Sequence, residues 1–159
     1  MLIVSVSAFV YEQASNTVTQ TIVEVATITL DQGALGSISE GQTILYTPTN
    51  TSVLDGILSI TTQQANVYLH FDTNLEGQNS IYDTYQISVI ADTVQGSTIT
   101  VGQTIATLSV GSPDTSTGIN LDTAGAWAFD FQITTTAGNV DSDTPTTVNI
   151  TVSAESTST

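Results

Sequence analysis

Between Asp72 and Asp83 the chain reads DTNLEGQNSIYD, so that Asp72, Asn74 and Glu76 place side-chain oxygens at alternate positions ahead of Gly77. Alternating oxygens, a glycine for the sharp turn and a closing carboxylate at the twelfth position, here Asp83, match the calcium-loop template, because a hard dication takes about six to eight oxygen ligands. Glu at the fifth position and the shorter Asp at the twelfth depart from that template. The strand-like flanks exclude a true EF-hand, and the alternative reading is a solvated turn. Asn139, Asp141 and Asp143 repeat the alternating-oxygen theme on a second turn.

Two N-glycosylation sequons, at Asn50 (NTS) and Asn149 (NIT), offer the other candidate chemistry, N-linked glycans. In a chain this rich in Thr, chance matches compete with real acceptors. His70 is the sole histidine, and alternation with Leu69 and Phe71 puts it on the face opposite the core, as a surface residue rather than a base. A nucleophilic triad needs an oriented histidine and an activated nucleophile, and no serine stands in a GxSxG elbow. A glycosidase needs only two carboxylates, but nothing marks a pair. Trp127 reads as a core residue of its strand rather than a sugar platform. The expectation is a non-enzyme.

The charge restricts partners sharply. There are 15 carboxylates and no Lys or Arg, for a formal net charge of −15. Neutralising phosphates requires basic side chains, so nucleic acid is excluded, as is electrostatic attachment to anionic membrane. Cations are the natural counterparts. With charged residues at 9%, the surface is polar through Thr, Ser, Asn and Gln rather than ionic. The absence of Cys removes disulfides and thiol chemistry.

The elements that must position these residues are all strands. Leu2, Val4, Val6, Ala8 and Val10 alternate along one apolar face, and residues 2–10 are too short to cross a bilayer and follow no positive n-region. They read as the remnant of a precursor's apolar segment or as a first strand, and the alternation favours the strand. Residues 19–30 (TQTIVEVATITL) form a longer β-rich run, followed by glycine-rich turn chemistry in DQGALGSISEGQ and a short strand at 43–47. Leu54, Leu58 and Ile60 alternate, as do Val67, Leu69 and Phe71, then Tyr85, Ile87, Val89 and Ala91. STITV (97–101) and TIATLSV (104–110) read as a hairpin around Gly102. After GSPDTSTG come the stripe Trp127, Phe129, Phe131, Ile133 and the stripe Val148, Ile150, Val152. No 3.6-residue period persists. About eight to ten short strands predict one all-β domain, a jelly-roll or Greek-key β-sandwich over residues 16–154, with residues 1–15 as an extended N-terminal donor strand and linker and 155–159 as a polar tail.

The order AFVYE, a Thr-rich bridge, ATITLDQG, LGSISEGQ and YTPTNTS, together with the closing FDFQITTTAGNVDSDTPTTVNITVS, resembles the TasA and camelysin-type biofilm fibre proteins and their archaeal relatives, the bundling pilins. These two stretches span about half the chain. The resemblance implies a jelly-roll subunit polymerising by donor-strand complementation outside the cell, with identical subunits and neighbouring filaments as partners and no membrane in the mature form. Bacterial members are rich in Lys and this chain has none, which points to an archaeal source.

An elementary argument stands beside the resemblance. An open sheet edge presents backbone groups to another strand, and a head-to-tail contact that does not close propagates as a filament. The competing expectations are that residues 2–10 are an ordinary first strand of their own domain, and that the chain is a secreted calcium-dependent carbohydrate-binding or adhesive module, a surface-layer protein or a capsid protein.

Overall fold

A computed structural model describes residues 25–140 and 146–156. Among them the chain is all-β: β1 (Ala26–Leu30), β2 (Thr43–Tyr46), β3 (Leu58–Thr62), β4 (Val67–Thr73), β5 (Tyr82–Thr93), β6 (Thr104–Ser109), β7 (Ile119–Leu121), β8 (Gly125–Ala137) and β9 (Ile150–Glu155). They form two antiparallel sheets, the larger in the order β1-β3-β8-β5-β6 and the smaller β7-β4-β9. No helix among the described residues is long and apolar enough to cross a membrane.

The long strand β8 organises the larger sheet. β5 pairs along one of its edges, while β3 takes the first half of the other edge and β2 the second half. Its period-2 pattern sends Trp127, Phe129, Phe131, Ile133, Thr135 and Ala137 inward and leaves the intervening side chains half-buried or exposed. Leu69 and Phe71 of β4 and Leu121 of β7 meet this stripe from the smaller sheet, joined by Leu58, Ile60, Ile87, Val89 and Leu108. Each such side chain contributes about 1.5–3 kcal/mol by leaving water, which is what holds the two layers together.

Two sequence expectations need correction. Leu54 does not belong to the strand that holds Leu58 and Ile60; it lies in a 3-10 turn, Ser52–Leu54, where its N–H bonds to Thr51 O at 3.0 Å. Residues 97–101 form no strand and no hairpin with β6, which pairs instead with β5. Asp122 is the reason: its Oδ2 accepts the Ser97 and Thr98 N–H groups at 3.2 and 3.0 Å, so the backbone donors of this segment are spent on a side chain. Gly96 permits that approach, since a Cβ there would lie 1.5 Å from Asp122 Oδ1. The last strand also runs through Glu155, which pairs with Tyr68, one residue into the stretch read as tail.

Two carboxylates that hold turns titrate in opposite directions. The Thr98 hydroxyl, with the Ser97 and Thr98 amides, keeps Asp122 below the usual carboxylate range. Asp130 Oδ1 accepts Gly56 N at 2.7 Å, yet burial, aided by the charges of Asp92 and Asp55, pushes its carboxyl up. A depressed folded value means that the Asp122 contribution is complete above the unfolded value and is lost as pH falls through the folded one. A raised value means that Asp130 costs stability as pH rises through the unfolded value, and fully above the folded one. Melting curves from pH 2.5 to 7 should therefore show D122A destabilising most at neutral pH and least in acid. D130N, which keeps the acceptor for Gly56, should melt higher than the parent at neutral pH and alike in acid. Parallel curves for both variants would refute the assignment.

Candidate functional site

A groove of about 770 Å³ opens beside the core, lined by residues of the larger sheet and of the segments at 30–38 and 146–150. Its floor is the inward face of the second half of β8 and of the facing residues of β5 and β2: Phe131, Ile133 and Thr135, Ile87, Tyr85 and Tyr46. Leu54 and Ile57 line it as well. One wall is the segment from Leu30 to Ile38, and the other is the approach to β9 from Thr146 to Ile150.

The first wall has unusual backbone chemistry. Asp31 N bonds to Ile57 O at 2.9 Å, but residues 32–38 make no hydrogen bond among the described residues. Leu35 and Ile38 are half-buried there while their neighbours are exposed. Beyond it, β9 pairs only with β4, so its other edge is unpartnered among the described strands. Backbone left to water in this way, like the open edge of a strand, is a template for a further strand.

Asn74 fixes the second wall. Its Oδ1 accepts Asn149 N at 2.8 Å, its Nδ2 donates to Thr147 O at 3.1 Å, and its own N–H donates to Asn149 O at 3.3 Å. A residue singled out as a calcium ligand thus has both polar side-chain atoms bonded to backbone. Asp72 is exposed on β4 opposite Thr151, Glu76 is exposed in a 3-10 turn (Leu75–Gln78) anchored by the buried Leu75, and Asp83 is exposed on β5. Gly77 N to Asn74 O and Ile81 N to Gln78 O wind the segment into two tight turns. Among the described residues no three acidic, cysteine or histidine side chains gather into a metal-holding group. Asn139 is exposed after β8, and Asp141 and Asp143 lie outside the described residues.

The sequons differ in environment. Asn50 is exposed but committed: Oδ1 accepts Thr47 N at 2.7 Å and the Thr51 hydroxyl at 2.9 Å, and Nδ2 donates to Leu45 O at 2.9 Å. Asn149 is exposed on the groove rim, and its side chain has no hydrogen bond among the described residues. His70 lies on the outward face of β4, as its alternation predicts, but it is half-buried there rather than a surface residue, with Nε2 buried beside Gly118 and without a partner among the described residues. Trp127 is a core residue at 2% exposure, its Nε1 donating to Thr123 O at 3.2 Å. Leu2, Val4, Val6, Ala8 and Val10 lie outside the described residues.

Sequence reasoning missed a cluster of hydroxyls at one end of the groove. Tyr82 and Tyr85 stack edge to face with ring centroids 4.9 Å apart, and Tyr46 is close enough that its charge and that of Tyr82 help to push the Tyr85 phenol up, as Tyr82 does for Tyr46. Burial is the first cause for both Tyr46 and Tyr85, and it keeps the Tyr85 phenol neutral throughout the ordinary pH range. Thr135 stands opposite Tyr85 on β8. No local motif marks this group, because Tyr46 comes from a different part of the chain; the one legible signal was Thr135, which shares the parity of the Trp127 stripe. No protein-family model matches the chain, and no curated protein matches it significantly.

Proposed function

We propose that this chain is a structural subunit of an extracellular filament, a jelly roll whose smaller sheet is one strand short and is completed by residues 2–10 of a neighbouring copy. The observation that carries the reading is the groove with an apolar floor and a wall of seven residues, 32–38, whose backbone is unpaired among the described residues. A strand laid there satisfies the backbone and takes the partly buried Leu30, Leu35, Val148 and Ile150 that line the groove out of water at once. The alternation of Leu2, Val4, Val6, Ala8 and Val10 supplies one apolar face for that floor. Because donor and acceptor are different surfaces of one chain, the contact repeats head to tail. Bundling of such filaments in a biofilm, and glycans on Asn149 and Asn50, belong to the same proposal.

A net charge of −15 per subunit opposes assembly, and with no basic residue in the chain, calcium or another divalent cation is the natural screen between copies. The decisive experiment is electron microscopy of the full chain beside a variant lacking residues 1–11, with and without calcium and EDTA. Filaments from the full chain, and a folded monomer from the shortened one, are the expected result. A full chain that stays monomeric under every cation condition overturns the filament reading. It would favour a secreted binding module, for which a groove of this volume is also suited.

A further inference from the structure

Three threonines are buried among the described residues, and two have conventional partners. Thr62 Oγ1 accepts Gly125 N at 3.1 Å and reaches Thr123 O, and Thr73 Oγ1 donates to Pro113 O at 2.8 Å. Thr135, at 3% exposure, has its Oγ1 buried with no hydrogen-bond partner among the described residues. A buried hydroxyl left unsatisfied loses its hydration without replacement, so an orphan of this kind asks what completes it. The phenols of Tyr46, Tyr82 and Tyr85 line the same groove, and none has a hydrogen bond among the described residues. Four unused hydroxyls therefore gather at one end of a groove that is apolar at the other.

Pairing registers give that asymmetry a direction. Along β8 the floor passes from Phe131, opposite Val89, through Ile133, opposite Ile87 and Tyr46, to Thr135, opposite Tyr85. A strand following this floor meets aliphatic and aromatic carbon first and hydroxyls last. In the N-terminal segment the inward parity runs Leu2, Val4, Val6, Ala8, Val10, and the next residue of the same parity is Glu12. An apolar stripe ending in one carboxylate has the polarity of the groove.

We infer that Glu12 of an incoming second copy docks among the hydroxyls of Tyr46, Tyr82, Tyr85 and Thr135, and so fixes the register and direction of the donated strand. This rests on the filament reading. The chain has no Lys or Arg to pair a buried carboxylate, so hydroxyl donors are the strongest partners it can offer. An ionised carboxylate accepts about four hydrogen bonds, and bonds to an ionised acceptor are roughly twice as strong as neutral ones. A slip by one residue would turn Glu12 away from the cluster and the apolar stripe away from the floor, while a slip by two would set the carboxylate against Ile133 or beyond the groove. Backbone pairing and apolar contact alone distinguish these registers poorly, because Val4, Val6 and Val10 are alike.

The test is a double-mutant cycle on full-length filaments, read as the critical concentration for assembly. E12A should raise it about tenfold or more, and Y85F with T135V should raise it similarly, since a hydrogen bond to a charged group contributes about a factor of ten to a hundred. Combining all three changes should cost little beyond either set alone. Exchanging residues 11 and 12, Tyr11→Glu with Glu12→Tyr, keeps composition and should weaken assembly as much as E12A. Additive effects, or an exchange variant that assembles like the parent, would overturn the inference. The two levels fail separately: filaments that persist without residues 1–11 refute strand donation itself, whereas filaments that need residues 1–11 but ignore E12A refute only the role of Glu12.

Discussion

Replacing Trp127 by Ala should remove about 3–5 kcal/mol of stability, a large share of the roughly 5–15 kcal/mol that a domain of this size has. Trp127 is 2% exposed at the start of the inward stripe of β8, paired with Ile60 of β3 and packed in the core shared by both sheets. Truncation deletes the largest side chain of that core and leaves a cavity that strands locked in register cannot close. W127F should cost much less, since most of the volume stays and Thr123 O, which accepts the indole N–H, also has the Thr62 hydroxyl within 3.3 Å. Denaturant midpoints followed by circular dichroism would measure both variants. A W127A midpoint close to that of the parent would place the side chain outside the core and revive the sugar-platform reading.

Period-2 alternation is the feature that made most strands readable. The stripes Val67, Leu69, Phe71 and Tyr85, Ile87, Val89, Ala91 are buried as their parity requires, because a half-buried strand must send alternate residues to one face. Where the reading erred, a side chain had captured the backbone. Residues 97–101 have strand composition, but Asp122 binds the amides of Ser97 and Thr98 and Gln103 Oε1 binds that of Thr100, so Ile99 is buried from a bent segment while Val101 stays 67% exposed. Such competition depends on a carboxylate more than twenty residues away, and no local window contains it. Leu54 was misread for a different, local reason: the Thr51 carbonyl closes a turn on its N–H, which makes its parity with Leu58 accidental.

The groove was less legible than the strands. Its glycine-rich wall, read as turn chemistry, is in fact a run of unpaired backbone, a property of what the segment fails to meet rather than of its composition. Asn74 was noticed for its oxygen and serves by its shape: a side-chain amide imitates a peptide group and extends the pairing of β4 toward residues 147 and 149. The apolar parity of β8, by contrast, already contained Thr135, a polar residue that the stripe sends inward.

On the proposed filament reading, Leu35→Asp should abolish assembly while leaving the monomer folded. Leu35 is half-buried on the wall whose backbone is unpaired among the described residues, and it packs against the core from outside its fully buried cluster, so its replacement costs the fold less than a substitution within that cluster. An added carboxylate there, facing a groove in a chain with no basic residue, would have to be desolvated without a partner as the incoming strand docks. That penalty amounts to a few kcal/mol and a rise in critical concentration of about a hundredfold or more. Val101→Asp is the matched control: it adds the same charge at an exposed position in the connection between β5 and β6, so it raises general repulsion without touching the groove. Sedimentation of the two variants at equal ionic strength separates the local effect from the global one. If both assemble normally, the groove is not where copies meet; if both fail alike, net charge rather than strand docking governs assembly. Loss confined to Leu35→Asp is the outcome that ties the unpaired wall to polymerisation.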